Sequence, residues 1–158
     1  MDETSIQLQE RVRAALTSHS PLRIRGSGSK DFYGVRLGGD VLNMRSYSGI
    51  VSYEPSELVV TARAGTPLRA LEQLLAEHGQ CLAFEPPHFG AEATVGGMVA
   101  AGLSGPARVA VGAVRDYVLG LHMINGNAEY LQFGGQVMKN VAGYDVSRLM
   151  AGAWGTLG

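Results

Sequence analysis

The chain has 158 residues, 46% apolar and 17% charged, with a net charge of −1. These values suit one globular domain or part of a larger one, and they exclude intrinsic disorder. Near-neutral charge gives no electrostatic attraction for nucleic acid or an acidic membrane. The lone Cys81 excludes a disulfide scaffold and a cysteine zinc site. Without a long apolar stretch or a signal peptide, we expect a soluble, cytoplasmic protein with no transmembrane segment.

Glycine is abundant and unevenly distributed. The chain has 22 glycines, 8 in residues 1–80 and 14 in residues 81–158. Charged residues follow the opposite trend, with 18 in the first part and 9 in the second. No repeat explains this pattern. The glycines therefore predict many turns with positive φ, or backbone that lies very close to another group.

The first half is predicted to form a small α/β layer. In chain order it contains a helix over 5–18 capped by Thr4 or Ser5, a strand over 22–25, a glycine loop over 25–30, strands over 41–44 and 58–63 separated by a turn-like 53–57, and a helix over 66–78. In the second helix Thr66 is the expected N-cap, Pro67 the first helical residue and Gly79 the stop.

The second half is predicted to be richer in loops. It contains a Pro-Pro turn within 81–87, a short helix within 93–105, strands over 117–124 and 128–133, and a short helix over 145–152. Asn125-Gly126-Asn127 between the two strands predicts a hairpin. The sequence stops in GTLG, within a glycine-rich loop, which leads us to expect a truncated domain with at least one strand missing.

The loop RGSGSK, residues 25–30, has the composition of an anion-binding loop. Two glycines after a strand expose successive backbone N–H groups, and Arg25, Ser27, Ser29 and Lys30 add donors. The loop matches neither the Walker A pattern nor GxGxxG, because Asp31 stands where a third glycine is required. A polar turn between strands is the alternative interpretation.

Two further glycine-rich segments follow. In ATVGGMVAAGLSG, residues 93–105, small side chains leave room for a flat cofactor, or alternatively for close helix–sheet packing. In residues 134–158, Lys139 and Asn140 offer donors beside Val141 and Ala142, although the segment taken alone is better explained by packing on the core. Together the three segments favour a large, doubly phosphorylated ligand over hydrolytic chemistry.

Other chemistries lack support. The four histidines have no metal-ligand spacing, so no metal site is predicted, and no GxSxG elbow is present. His88, after the double proline, is expected at the surface. Trp154 and the four phenylalanines are too scattered in sequence to predict a base-stacking surface.

Three motifs carry a resemblance to a known family. RGSGSK, EATVGGMVAAGLSGPARVAVGAVRDYVLG and VMKNVAGYDVSRLMAGAWGTLG resemble the FAD-binding domain of the PCMH-type (vanillyl-alcohol oxidase) flavoprotein superfamily. Within it, FEPP, GLSGPAR and GGQVMKNVAGYD are similar to the smaller flavin-binding subunits of bacterial glycolate oxidases. The resemblance implies an α+β fold of two α/β subdomains with FAD between them, one over residues 1–80 and an incomplete one over 81–158.

The resemblance also implies which residues contact FAD. They are Arg25, Gly26, Ser27, Gly28, Ser29 and Lys30 in a pyrophosphate loop, Thr94, Gly96, Gly97 and Ser104 in a second loop, and Asn140, Val141 and Ala142 near the adenine. Superfamily members with covalent flavin carry a histidine where this chain has Ser29, so noncovalent FAD is implied. No catalytic residue is assignable.

The resemblance implies a function as well. It is that of an FAD-dependent oxidoreductase subunit that oxidises glycolate, a small 2-hydroxy acid, to glyoxylate in a cytoplasmic complex. The partners would be a second flavoprotein subunit and an iron–sulfur subunit, through which any membrane association would be made. One alternative is an FAD-binding electron-relay or assembly subunit that oxidises no substrate itself. Another is a truncated fragment without function.

Overall fold

The computed structural model describes residues 2–34, 38–135 and 143–158. Within these ranges lie five α-helices and six strands. The helices are α1 (Glu3–Ser18), α2 (Leu68–Glu77), α3 (Val95–Ala101), α4 (Arg108–Val111) and α5 (Val146–Met150). The strands are β1 (Leu22–Arg25), β2 (Asp40–Asn43), β3 (Ile50–Glu54), β4 (Val59–Ala62), β5 (Gly120–Ile124) and β6 (Tyr130–Gly134).

The described strands form three two-stranded sheets. Strands β1 and β2 are parallel, with Leu22 opposite Asp40. Strands β3 and β4 are antiparallel, and so are β5 and β6, in which Gly120 lies opposite Gly134. The hairpin predicted around Asn125-Gly126-Asn127 is therefore confirmed. No helix in the described ranges is both long and apolar enough to span a bilayer.

Helix α1 starts earlier than predicted. Its N-cap is Asp2, whose Oδ1 accepts a hydrogen bond of 2.8 Å from the Ser5 N–H, so the expected cap at Thr4 or Ser5 was wrong. The other carboxylate oxygen of Asp2 accepts a 2.6 Å hydrogen bond from Arg63. A carboxylate that both caps the helix and pairs with Arg63 ties α1 to the end of β4.

Helix α2, Leu68–Glu77, is shorter than the predicted 66–78 and does not have its predicted cap. Pro67 is the N-cap, and the Thr66 hydroxyl instead donates to the Arg63 carbonyl at 2.6 Å and accepts from the Gly49 N–H at 3.0 Å. Thr66 therefore joins two loops rather than capping the helix. Gly79 follows the helix with φ of +67°, which confirms it as the stop.

Two elements escaped prediction. Strand β3 includes part of the segment predicted as a turn. It was not predicted as a strand because Ile50 and Val51 are both exposed, so the segment lacks the alternation that marks a half-buried strand. Helix α4 is a single turn, and none of its residues is buried. It therefore has no buried apolar face of the kind that predicts a helix from sequence.

The core lies between α2 and α3. Leu68, Leu71 and Leu75 of α2 pack with Phe84 and Met98 in a cluster of buried side chains. The cluster draws on both sides of the predicted subdomain boundary at residue 80, and that division stays a prediction. Because α3 is anchored in this core, the position of its first turn beside β4 is fixed.

Candidate functional site

The glycine loop after β1 turns sharply at Gly28. Gly28 has φ of +81°, and the Asp31 N–H donates to its carbonyl at 3.0 Å. A Cβ on Gly28 would overlap the Arg25 guanidinium, which lies over the glycine. Gly28 is therefore required by its left-handed backbone, whereas the Arg25 side chain could move aside.

Several amide groups of this loop are available for a ligand. The Ser29 N–H is directed at Ser27 Oγ, 3.4 Å away. The N–H groups of Gly26, Ser27, Gly28 and Lys30 have no acceptor within the ranges that the structure describes. Successive backbone amides without a protein acceptor, next to a left-handed glycine, are typical of loops that bind phosphate oxygens.

Two arginines hold Asp31 at the end of the loop. Arg25 donates through Nε and Nη2 to Oδ2 at 2.8 Å each, and Arg23 lies 2.8 Å from Oδ1. Partial burial acts to raise the pKa of Asp31, but the hydrogen bonds and charges of Arg25 and Arg23 outweigh it and hold the pKa below its usual value. Arg25 was predicted to donate hydrogen bonds to a ligand. It can do so only through the guanidinium N–H groups that are not bonded to Asp31.

Lys30 ends the loop in a half-buried position. Its Nζ lies 5.9 Å from the centre of the Phe89 ring. Burial lowers the pKa of the Lys30 amine. A cation beside the free amides adds to the preference of this loop for anions.

The second predicted segment meets the first at Thr94. Thr94 is buried and caps α3, with Oγ1 accepting from the Gly97 N–H at 3.2 Å. A Cβ on Gly26 would lie only 2.5 Å from that Oγ1. The pyrophosphate loop predicted from sequence and the start of α3 are thus in direct contact.

The first amides of α3 are already bonded within the protein. The Val95 N–H donates to the Thr66 carbonyl at 2.9 Å, and the Gly96 N–H to the Ala64 carbonyl at 2.7 Å. A Cβ on Gly96 would lie 2.7 Å from the Ala64 Cβ, so close helix–sheet packing, the alternative interpretation of this segment, explains Gly96. Free donors for phosphate therefore belong to the loop after β1 rather than to α3.

Gly97 and Ser104 differ in their surroundings. Among the described residues, the one atom within 4 Å of a Cβ on Gly97 would be Thr94 Oγ1, at 3.0 Å, so that face of the helix is open. Ser104 is buried, and its hydroxyl accepts from the Val114 N–H at 3.1 Å and donates to the Gly102 carbonyl at 3.2 Å. The structure thus gives Ser104 internal partners, and its contact with a ligand stays a prediction.

Of the third segment, residues 134–135 and 143–158 are described. Asn140, Val141 and Ala142 lie outside the described residues. Farther along, the Gly152 N–H donates to the Val99 carbonyl at 2.9 Å and the Trp154 N–H to the Ala100 carbonyl at 3.0 Å. A Cβ on Gly155 would lie 3.2 Å from Ile24 Cδ1 in β1. The described end of this segment therefore joins α3 and β1, and the three glycine-rich segments meet in one region.

The aromatic residues were predicted to be scattered, but in the structure several of them lie together. Phe32, Phe89 and Trp154 form a connected group through Tyr33, directly after the glycine loop. The FY dipeptide two residues after Lys30 was the available signal. The partners at 89 and 154 are distant in sequence, so only the fold joins them.

The sequence also led to expectations about His88 and about metal binding. His88 Nε2 lies 3.0 Å from Glu72 Oε1 on α2, in a half-buried position rather than at the open surface. The described residues hold no group of three or more His, Cys, Asp or Glu able to bind a metal ion.

Comparisons with known proteins identify the family of the chain. A family model described as an FAD binding domain matches residues 3–134. The chain is 56% identical over 151 residues to the glycolate oxidase subunit GlcE of Escherichia coli (strain K12), covering 96% of this chain and 43% of that protein. It is 33% identical over 141 residues to the glycolate oxidase subunit GlcD of Bacillus subtilis (strain 168), covering 87% of this chain and 30% of that protein.

A solved structure supports the fold alone. An alkyldihydroxyacetonephosphate synthase superposes with a TM-score of 0.72 at 20% sequence identity, over 96% of this chain and 28% of that chain. The chain spans less than half the length of the curated relatives it matches. The predicted α+β fold of the PCMH type is confirmed.

Proposed function

The chain belongs to the family of FAD-binding domains, and from that premise we propose that it is the flavin-holding part of a glycolate oxidase subunit. Identity of 56% along 96% of the chain with a subunit of that name supports the substrate class, a small 2-hydroxy acid. The 33% identity with a second subunit of the same enzyme type fits a common flavin-binding ancestry.

The observation that carries the proposal is the meeting of the loop after β1 with the start of α3. A Cβ on Gly26 would lie 2.5 Å from Thr94 Oγ1, and the N–H groups of Gly26, Gly28 and Lys30 have no acceptor in the described residues. A diphosphate needs several donors converging on adjacent oxygens, and we propose that the loop amides supply them. We assign the pyrophosphate of FAD to residues 26–30, with Lys30 adding positive charge.

Attachment of the flavin is proposed to be noncovalent. The family resemblance places Ser29 where covalently flavinylated members carry a histidine, and this chain has a serine there instead. When bound, FAD supplies a two-electron acceptor for the hydride of a hydroxy acid. The chain's own residues bind and orient it: the loop amides hold the phosphates, and Thr94 keeps the loop against α3.

Partners and cellular location are proposed on the same basis. The subunit names of the relatives support a complex that contains a second flavoprotein subunit, and the family resemblance adds an iron–sulfur subunit. Assembly of such a complex in the cytoplasm is the expected arrangement.

Flavin content tests the proposal. We expect the purified protein, after incubation with FAD and gel filtration, to retain the visible absorbance of flavin, and acid precipitation to release that flavin into the supernatant. Failure to retain flavin would overturn the assignment. Flavin that stays with the precipitate would overturn the noncovalent attachment only.

An electron-relay role is the second candidate. A relay subunit would bind FAD equally well but would reduce a dye with glycolate only when its partner subunits are present. Dye reduction by this subunit alone, with glycolate as substrate, would exclude the relay role. Activity confined to the reconstituted complex would leave substrate oxidation to the partner flavoprotein.

A further inference from the structure

Four exposed aromatic rings form a continuous run beside the glycine loop. Phe89 meets Phe32 edge to face at 5.0 Å, Phe32 meets Tyr33 at 6.4 Å, and Tyr33 stacks on Trp154 at 5.1 Å with an interplanar angle of 6°. Their exposed fractions are 48% for Phe89, 66% for Phe32, 51% for Tyr33 and 41% for Trp154. We call these four residues the aromatic run.

Packing in the described core does not account for the aromatic run. None of its rings belongs to the buried core cluster, and contiguous exposed apolar surface marks binding sites in soluble proteins. Phe89 and Trp154 also have left-handed backbones, with φ of +50° and +56°. Such values are rare for bulky residues, and this kind of strain concentrates at ligand-binding positions.

The position of the run links it to the phosphate loop. Its first members follow Lys30 by two residues, and the Tyr33 N–H donates to the Lys30 carbonyl at 3.0 Å. Trp154 is held from the other side by its N–H bond of 3.0 Å to the Ala100 carbonyl of α3. The stacked pair is thus bonded to Lys30 of the proposed diphosphate loop and to α3, the helix that this loop contacts.

We propose that the Tyr33–Trp154 stack is the platform for one planar ring system of FAD. This inference rests on the proposed function and adds to it the residues that hold a ring. A dinucleotide carries a flat ring on each side of its diphosphate, and aromatic side chains beside a phosphate site bind such rings by stacking. The ring is either the adenine or the isoalloxazine, and both share the chemistry of a planar aromatic surface.

The test compares removal and retention of the aromatic ring. We expect Trp154→Leu and Tyr33→Leu each to weaken FAD binding about 10-fold by calorimetry, the order of effect of one lost stacking contact. Trp154→Phe and Tyr33→Phe keep a ring at each position and should stay within about 2-fold of the wild type. Thermal melts without ligand control for folding.

Separate titrations with ADP and FMN identify the ring. A loss confined to ADP in the leucine variants assigns the adenine to the platform, and a loss confined to FMN assigns the isoalloxazine. Wild-type affinity of the leucine variants for all three ligands would overturn the inference while the proposed function stands. Absence of FAD binding to the wild type would instead reject the proposed function.

A readout on the wild-type protein covers the case in which a variant does not fold. Trp154 is the only tryptophan, so its emission reports on this platform alone. Stacked adenine should quench that emission when ADP is added, and stacked isoalloxazine should lose its own emission when FMN binds. If saturating ADP leaves tryptophan emission unchanged and bound FMN stays fluorescent, the platform is elsewhere.

Discussion

Gly26 lies so close to Thr94 that a Cβ on the glycine would come within 2.5 Å of the threonine Oγ1. The two residues are far apart in sequence, and each belongs to a different glycine-rich segment. Their contact joins the loop after β1 to the start of α3. The proposed diphosphate site depends on this contact, because the contact holds the loop in place against α3.

The contact between Gly26 and Thr94 predicts non-additive substitutions. Gly26→Ala should destabilise the protein by about 1–3 kcal/mol through overpacking. Thr94→Ala should cost about 1 kcal/mol through loss of the cap on α3. In the double variant the clashing oxygen is absent, so the combined loss in urea unfolding should be smaller than the sum of the two single losses. Simple additivity would contradict the contact.

Gly28→Val should abolish tight FAD binding. The substitution forces a β-branched residue into a left-handed conformation at φ of +81° and places its Cβ against the Arg25 guanidinium. We expect FAD affinity, measured by calorimetry, to fall at least about 10-fold, equivalent to about 1.4 kcal/mol.

Gly79→Val is the matched control for Gly28→Val. Gly79 also has positive φ, +67°, but a Cβ on it would meet no described atom within 4 Å, and it follows α2, away from the loop. It should lose about 1–2 kcal/mol of stability with unchanged FAD affinity. Equal loss of FAD affinity in both variants would mean that general destabilisation, not the loop, controls binding.

Gly96→Ala should destabilise the protein although alanine is the better helix former. Helix propensity alone would raise the free energy of unfolding by about 1 kcal/mol. A Cβ at Gly96, however, would lie 2.7 Å from the Ala64 Cβ and 2.9 Å from its carbonyl oxygen, so we expect a net loss of about 1–3 kcal/mol in chemical denaturation. Gly97→Ala brings its Cβ to 3.0 Å from Thr94 Oγ1, a milder contact, and should change stability far less. A stabilised Gly96→Ala variant would refute the close packing of α3 on Ala64.

Asp31 should contribute to stability only above a threshold pH. Its folded-state pKa is lowered, since Arg25 and Arg23 outweigh the opposing effect of burial. Its contribution is therefore complete above the unfolded pKa of about 3.9 and is lost as the pH falls through the lower folded value. We expect Asp31→Asn to be less stable than the wild type by about 0.2–1 kcal/mol at neutral pH, the range for exposed ion pairs.

Unfolding curves across a pH series test that expectation for Asp31. The wild type and Asp31→Asn should converge in stability as the pH falls below about 3.9. A difference that persists unchanged into acid would show that the carboxylate charge is not the source of the effect.

Local chemistry made much of this molecule predictable. The apolar stripe of α2 and its stop at Gly79 are encoded within one segment, as is the hairpin around Asn125-Gly126-Asn127. The need for glycine at position 28 also follows from a tight loop after a strand, and its positive φ agrees. These features depend on neighbours in sequence, so a single sequence suffices to find them.

Long-range contacts were beyond the reach of sequence patterns. The stack of Tyr33 on Trp154 joins residues that are far apart in the chain, and no sequence pattern in either segment indicates that the two residues contact each other. Asp31 was visible only as a departure from a glycine motif, whereas the structure shows it paired with Arg23 and Arg25. The stack depends on how the end of the chain packs on α3, and the pairing of Asp31 depends on how the loop folds back on β1.

The most direct test of the diphosphate site is an amide NMR titration with inorganic pyrophosphate and with ADP. The account predicts that the N–H signals of Gly26, Ser27, Gly28 and Lys30 shift together and saturate with each ligand, while that of Gly79 stays in place. Binding of FAD or ADP that leaves these four loop signals unmoved would contradict it.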